Sequence, residues 1–405
     1  MIDTQIKRKN LITDAVYIAV IIVLMVLSYN LFAMMIDNTG GNYKSDLPYY
    51  INRATSGDMN GHRLIFMLFS QLYKLTDSPL AITIFLALEM GALFLANYAY
   101  IKYFSACDSK RPLLRALMQT FSIAAVFGGA IYVPRIHKTF YRNTFAIFAW
   151  HSPTQQMMTL LSVIATIFFF KMLDEYEEKI DIKYWMGTAV FMLLSAYAKP
   201  SYVLDIGPAI VIAFIIELFR KGELSFGEKF KKLFIMGSTL IPSGLYLMIL
   251  NYIIYLRPDR KGNSNITVDT SQIAENSHFM IGICCCLAFP LLVTCFNWKK
   301  IISDRRYLII ALIAVVGILQ WAMLGESGHR ASHGNFGWGR TIGGYMFYIT
   351  GLAVALENYA DKDFLANKKT LRYLYFIALS GLLFLHTASQ LYYFYTMYNG
   401  AGFWR

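Results

Sequence analysis

LITDAVYIAVIIVLMVLSYNLFAMM, residues 11–35, decides the fold class. It carries one charge, Asp14, in a run of about 25 residues, and a helix needs about 20 apolar residues to cross a bilayer core. Lys7, Arg8 and Lys9 precede it and no small-x-small cleavage site follows, so it reads as a retained first span and not as a signal peptide. The same ruler gives further candidate spans near 79–103, 113–133, 154–172, 184–198, 201–219, 233–256, 278–297, 307–324, 340–357 and 372–395. The expected fold is all-α: a polytopic membrane protein of about 11 transmembrane helices.

Composition agrees. Of the 405 residues 57% are apolar and 15% charged, against about 25% charged in soluble domains. That excludes a soluble enzyme, a disordered chain and a disulfide scaffold. The net charge of +12 does not point to nucleic acid, because the basic residues sit in short loops between apolar blocks and no basic helix offers a phosphate-tracking face. Cys284, Cys285, Cys286 and Cys295 share one apolar block and read as small packing residues.

With the N-terminus cytoplasmic, the inner segments hold 23 of the 37 Lys and Arg and the outer ones 14. This asymmetry predicts a cytoplasmic N-terminus and an extracytoplasmic C-terminus. The outer loops are then 36–78, 134–153, 257–277 and 325–339, and residues 1–405 form a single integral membrane domain with no separate soluble domain. Residues 64–75 (LIFMLFSQLYKL) make only about 18 Å of helix and are expected to lie at the interface, a full span being the alternative.

Polar chemistry collects on the outer side. His62, His137, His151, His278, His329 and His333 all fall in outer segments, and His386 in the outer half of the last span. The first outer loop offers Asp46 before a Pro48-started helix, then His62 and Arg63. Asp46 reads as a general base toward a hydroxyl, or else Ser45 or Asp46 caps that helix. Arg135, His137, Lys138, Arg142 and His151 in the second loop suit a lipid phosphate or ordinary interfacial anchoring. Lys199, between two apolar blocks, faces a phosphate or pairs with Asp205. Residues 326–340 (ESGHRASHGNFGWGR) are denser in polar, aromatic and glycine residues than a connector requires, and offer Arg330, His333, Asn335 and Trp338. Zinc on His329, His333 and Glu326 is disfavoured by the four glycines of that stretch. Glu89 is an intramembrane carboxyl, either hydrogen-bonded between helices or a step on an ion path. The P-loop, dinucleotide, GxSxG and HExxH motifs are absent.

YKSDLPYYI (43–51), WHSPT (150–154), AKPS (198–201) and ESGHRASHGNFGWGR (326–340) together resemble the GT-C superfamily of polytopic membrane glycosyltransferases, and more closely an uncharacterised bacterial branch of it. The motifs are short but spread over most of the chain. The resemblance implies a GT-C-like fold with interfacial helices in the first outer loop, in a bacterial plasma membrane. It implies transfer of a sugar from a polyprenyl-phosphate donor to a cell-surface glycan or lipid acceptor, inverting the anomeric centre. Asp46 would be the base. Lys199, Arg330 and His151 would hold the phosphate, with His333, Asn335, Trp338, His62 and Arg63 completing the substrate site. Expected partners are the lipid-linked donor, the acceptor and membrane lipids. No cofactor is called for; without a second carboxylate beside Asp46, a paired-carboxylate metal site has no support, though a divalent metal stays open. The rival readings are a polysaccharide polymerase or ligase leaning on Arg330, and a lipid-linked glycan flippase or ion-coupled transporter using Glu89 and Asp205.

Overall fold

A computed structural model describes residues 2–37, 45–56, 63–135, 150–257, 264–271, 273, 279–331 and 334–400. The described residues are 81% helical and nearly all-α. Seven helical stretches among the described residues are long and apolar enough to cross a membrane: Gln5–Asp37, Leu80–Ser105, Pro153–Glu175, Ser201–Phe219, Phe226–Leu256, Arg305–Met323 and Lys369–Tyr398. Their outward faces carry Leu, Ile, Val and Phe, for example Leu88, Ile215, Phe230 and Ile377. Such surfaces suit lipid and not water, and the protein is membrane-embedded.

In chain order the helices are α1 (Ile2–Asp37), α2 (Leu47–Thr55), α3 (Arg63–Thr76), α4 (Leu80–Ser105), α5 (Pro112–Val126), α6 (Pro153–Glu175), α7 (Ile182–Ala198), α8 (Ser201–Phe219), α9 (Phe226–Gly237) and α10 (Ile241–Asn251). They continue as α11 (Phe279–Phe296), α12 (Trp298–Ser303), α13 (Arg305–Met323), α14 (Gly337–Ala360) and α15 (Lys369–Tyr398). A two-stranded antiparallel ribbon pairs β1 (Ile266–Val268) with β2 (Leu324–Glu326) in the register Ile266 to Glu326. Each of the remaining four expected spans meets a helix, α5, α7, α11 and α14, that is shorter or less apolar than the seven. The segment 64–75 falls within α3, which is 14 residues long.

The expected span at 113–133 is corrected. Its helix ends at Val126, and 127–133 continues without helix, Phe127 to Ala130 fully buried. Non-helical backbone is tolerated at membrane depth where protein covers it, and here Ile131 N–H donates to the Cys285 carbonyl and Tyr132 N–H to Ser389 Oγ. Gly128 and Gly129 permit it: an added Cβ would come to 2.1 Å of the Tyr348 ring and 1.9 Å of the Gln390 amide. The cysteine block is not uniformly core either, since Cys286 is buried while Cys284 and Cys295 face outward.

α6, α8 and α14 are packed with α7 and α13 so that the two ends of the bundle differ. At the α6 and α8 C-termini, Arg305 bonds Glu177 and Glu217, Arg306 contacts Asp304 and Asp174, and Lys300 joins Glu357 of α14. The opposite end carries Ser152, Lys199 and Trp338. α13 and α14 run antiparallel at backbone contact, where an added Cβ at Gly317 would lie 2.7 Å from the Gly339 carbonyl, and one at Gly343 2.9 Å from that of Ile313. Because backbone cannot yield as a side chain does, Gly317→Val or Gly343→Val is expected to cost about 1–3 kcal/mol. In detergent-solubilised protein this reads as a lowered thermal unfolding midpoint. Gly207→Ala, with open space around its Cβ, keeps or slightly raises the midpoint; equal behaviour of all three variants would refute the close contact.

Candidate functional site

Asp46 occupies the N-cap position of α2 yet makes no side-chain cap, and Ser45 Oγ instead accepts the Leu47 N–H at 3.2 Å. Ser152 stands at the N-cap of α6 and does not cap either. Such caps contribute about 1 kcal/mol each. Both residues forgo that stabilisation, and the Ser152 hydroxyl lies instead 3.0 Å from Thr154 Oγ1. Capping is therefore not the role of the Asp46 side chain.

Around this pair the four sequence motifs converge. His151 Nε2 lies 3.6 Å from Asp46 Oδ2. The Lys199 ammonium sits 3.4 Å from the centroid of the Trp338 indole, a close cation–π contact. The His151 ring lies parallel to Trp338 with centroids 6.4 Å apart. Local chain geometry accounts for the placement. Lys199 ends α7 in extended conformation (φ −162°, ψ 131°), and Pro200 restarts the chain into α8. Trp338 is in the first turn of α14, directly before the Gly339 that lets α14 approach α8.

The electrostatics follow from burial. Lys199 is 5% exposed; burial pulls its ammonium down to about 7, the Asp46 charge opposing. His151 is pulled down to about 3 by burial, with Lys199 adding to the shift, so its imidazole is neutral at physiological pH. Burial pushes the Asp46 carboxyl above the usual range, while the Lys199 charge and the nearby Ser152 hydroxyl pull it back. Its side chain nevertheless remains 43% exposed at the rim. The site thus offers one reachable carboxylate, one buried cation that titrates near neutrality, a neutral imidazole and an indole face.

The pairing of Lys199 with Asp205 is a correction. The extended backbone at Lys199 carries its side chain away from the face of α8, and Asp205, fully buried, has no hydrogen-bond partner on either carboxyl oxygen among the described residues. It packs beneath Gly339, where an added Cβ would come within 2.6 Å of its Oδ1. Glu89 is 4% exposed, and its two carboxyl oxygens likewise have no hydrogen-bond partner among the described residues, so the expected interhelical hydrogen bond is not found there.

Arg330 and Asn335 gather elsewhere. Glu326, 8% exposed at the end of β2, receives Arg330 Nε at 2.6 Å, Asn335 Nδ2 at 2.5 Å and the Tyr255 hydroxyl. These contacts fold the loop onto itself, and among the described residues of 326–340 it is Trp338 that stands against Lys199 and His151. His62, His137, Lys138, Arg142, His278 and His333 lie outside the described residues, as does the Arg63 side chain. Ser152, Thr154 and Tyr50 were not singled out as site residues; the signal for them was the serine and aspartate standing at two helix starts. Compared with known families and characterised proteins, the sequence matches no family model and no curated relative.

Lys199 yields a stability test. Its folded value lies below the ordinary lysine value of 10.5, so below about pH 7 the folded state carries a penalised charge. Between pH 7 and 10.5 the folded protein sheds a proton that the unfolded chain keeps, and stability rises with pH. Relative to Lys199→Met, the wild-type unfolding temperature should climb from pH 7 to pH 9; parallel curves would remove the buried-cation assignment.

Proposed function

We propose that this protein is a membrane glycosyltransferase of GT-C type, with about 11 spans, that moves a sugar from a polyprenyl-phosphate donor to a cell-surface glycan or lipid acceptor at the outer face of the plasma membrane. One observation carries the reading: the Asp46 carboxylate and the Lys199 ammonium, from distant parts of the chain, share one rim site with His151 and Trp338. In transfer, Asp46 accepts the proton of the acceptor hydroxyl as its oxygen bonds to the anomeric carbon. The bond from that carbon to the phosphate oxygen breaks, the electron pair leaving with the phosphate. A protonated Lys199 stabilises the developing charge in a site of low dielectric. The indole of Trp338 provides an apolar face for a sugar ring or the prenyl chain. The engagement of Arg330 by Glu326 weighs against a polymerase or ligase that leans on this arginine.

A second reading, ion-coupled transport, is favoured by one observation: Glu89 and Asp205 are buried carboxyls without hydrogen-bond partners among the described residues. A deletion strain complemented with variants separates the two, with lipid-linked and surface glycans read by mass spectrometry. Transfer predicts that the strain lacks one defined sugar and accumulates its lipid-phosphate donor, and that Asp46→Asn, at normal membrane level, fails to restore it by at least about 100-fold. Full restoration by Asp46→Asn together with failure of Glu89→Gln would overturn transfer in favour of transport.

A further inference from the structure

The turn that opens α14 is pinned from a distance. Glu326, at the end of β2, has a side chain only 1% exposed. Its Oε1 accepts Arg330 Nε at 2.6 Å and the Tyr255 hydroxyl, and its Oε2 accepts Asn335 Nδ2 at 2.5 Å. A carboxylate accepts on both oxygens, so donors from three places in the chain can close on it together. Strand pairing fixes where it stands. Glu326 faces Ile266 across the ribbon, the Ser327 N–H donates to the Asn265 carbonyl at 2.9 Å, and the Asp269 N–H donates to the Met323 carbonyl at 2.9 Å. Asn335 is then held at two points, its side chain on Glu326 and its carbonyl accepting the Trp338 N–H at 3.3 Å. The first N–H groups of a helix have no partner within it, and Asn335 supplies one to the opening turn of α14. That turn carries the indole whose centroid lies 3.4 Å from the Lys199 ammonium.

We infer that Glu326 is a positioning residue of the site: through Asn335 it sets the first turn of α14 and so holds the Trp338 indole over Lys199. Glu326 needs no contact with substrate for this, and the role rests on the reading of Lys199 and Trp338 as parts of the working site. It gives the polar residues 326–335 a task other than binding phosphate. A glutamine at 326 would offer one acceptor oxygen in place of two, and an NH2 group that must face a donor. Arg330, as the charged donor, takes that oxygen, and the NH2 is left against the Asn335 amide. The link to α14 is the one that fails.

Lys199 reports whether its cover is in place. While the ammonium is buried, the unfolding temperature of the full-length detergent-solubilised protein climbs from pH 7 to pH 9 relative to Lys199→Met. Once the indole is released, water reaches the ammonium and it titrates as an ordinary lysine. Glu326→Gln and Asn335→Ala, each measured with Lys199 and with Met at 199, are expected to lose at least about half of this lysine-dependent rise. Trp338→Ala loses it too, and adding Glu326→Gln to Trp338→Ala takes away nothing more. A merely structural Glu326 would lower the unfolding temperature equally at both pH values and leave the rise intact, which overturns the inference. Should Glu326→Gln fail to fold, Asn335→Ala decides in its place. A wild type without the rise overturns the inference as well, since no covered cation is then there to be held. Loss of the rise in the variants, in a protein whose deletion alters no glycan, would sink the transferase reading and leave the positioning role standing.

Discussion

Placing the ammonium of Lys199 in a dry turn between two helices is the costly act on which this site depends. A lone cation at such depth needs compensation, and the compensation comes from far along the chain: the Trp338 face at 3.4 Å and the Asp46 charge. Each requirement in turn fixes a helix. α14 must begin where its first turn can cover the lysine, and so carries Gly339 against Asp205 and faces Gly317 of α13. α2 must begin at Asp46, and α6 at Ser152. The cation is therefore an organising centre, and its geometry is inherited by everything at that end of the bundle.

Much of the fold was legible because lipid imposes a length. Runs such as 11–35, 201–219 and 372–395 coincide with helices because a bilayer leaves backbone groups no other partner. The break of α5 was not legible from hydropathy, since FSIAAVFGGAIYV (121–133) carries no charge across the break and a covered extended segment is as apolar as a helix. Its only marker was Gly128-Gly129, whose meaning depends on Tyr348 and Gln390 arriving from α14 and α15.

The site was legible in its parts and not in its pairings. Asp46, His151, Lys199 and Trp338 could be named from residue type and loop position alone. Spacing misled for Lys199, because Asp205 four residues on looked like its natural partner, whereas a single extended residue before Pro200 redirects the side chain. Spacing also hid the local engagement of Arg330, which lies four residues from Glu326 and is held there. What periodicity cannot convey is which of two available partners a side chain meets once the helices are docked.

One feature of the architecture acts without any titrating group. Asp46 opens α2, Ser152 opens α6 and Trp338 lies in the opening turn of α14, a helix of 24 residues. Each helix start carries about half a positive elementary charge from its aligned peptide dipoles. Three such ends held at one place make a permanent field that no change of pH can switch off. The backbone's share of the field therefore outlasts the proton of Lys199, and it opposes the charge of the Asp46 carboxylate at every pH.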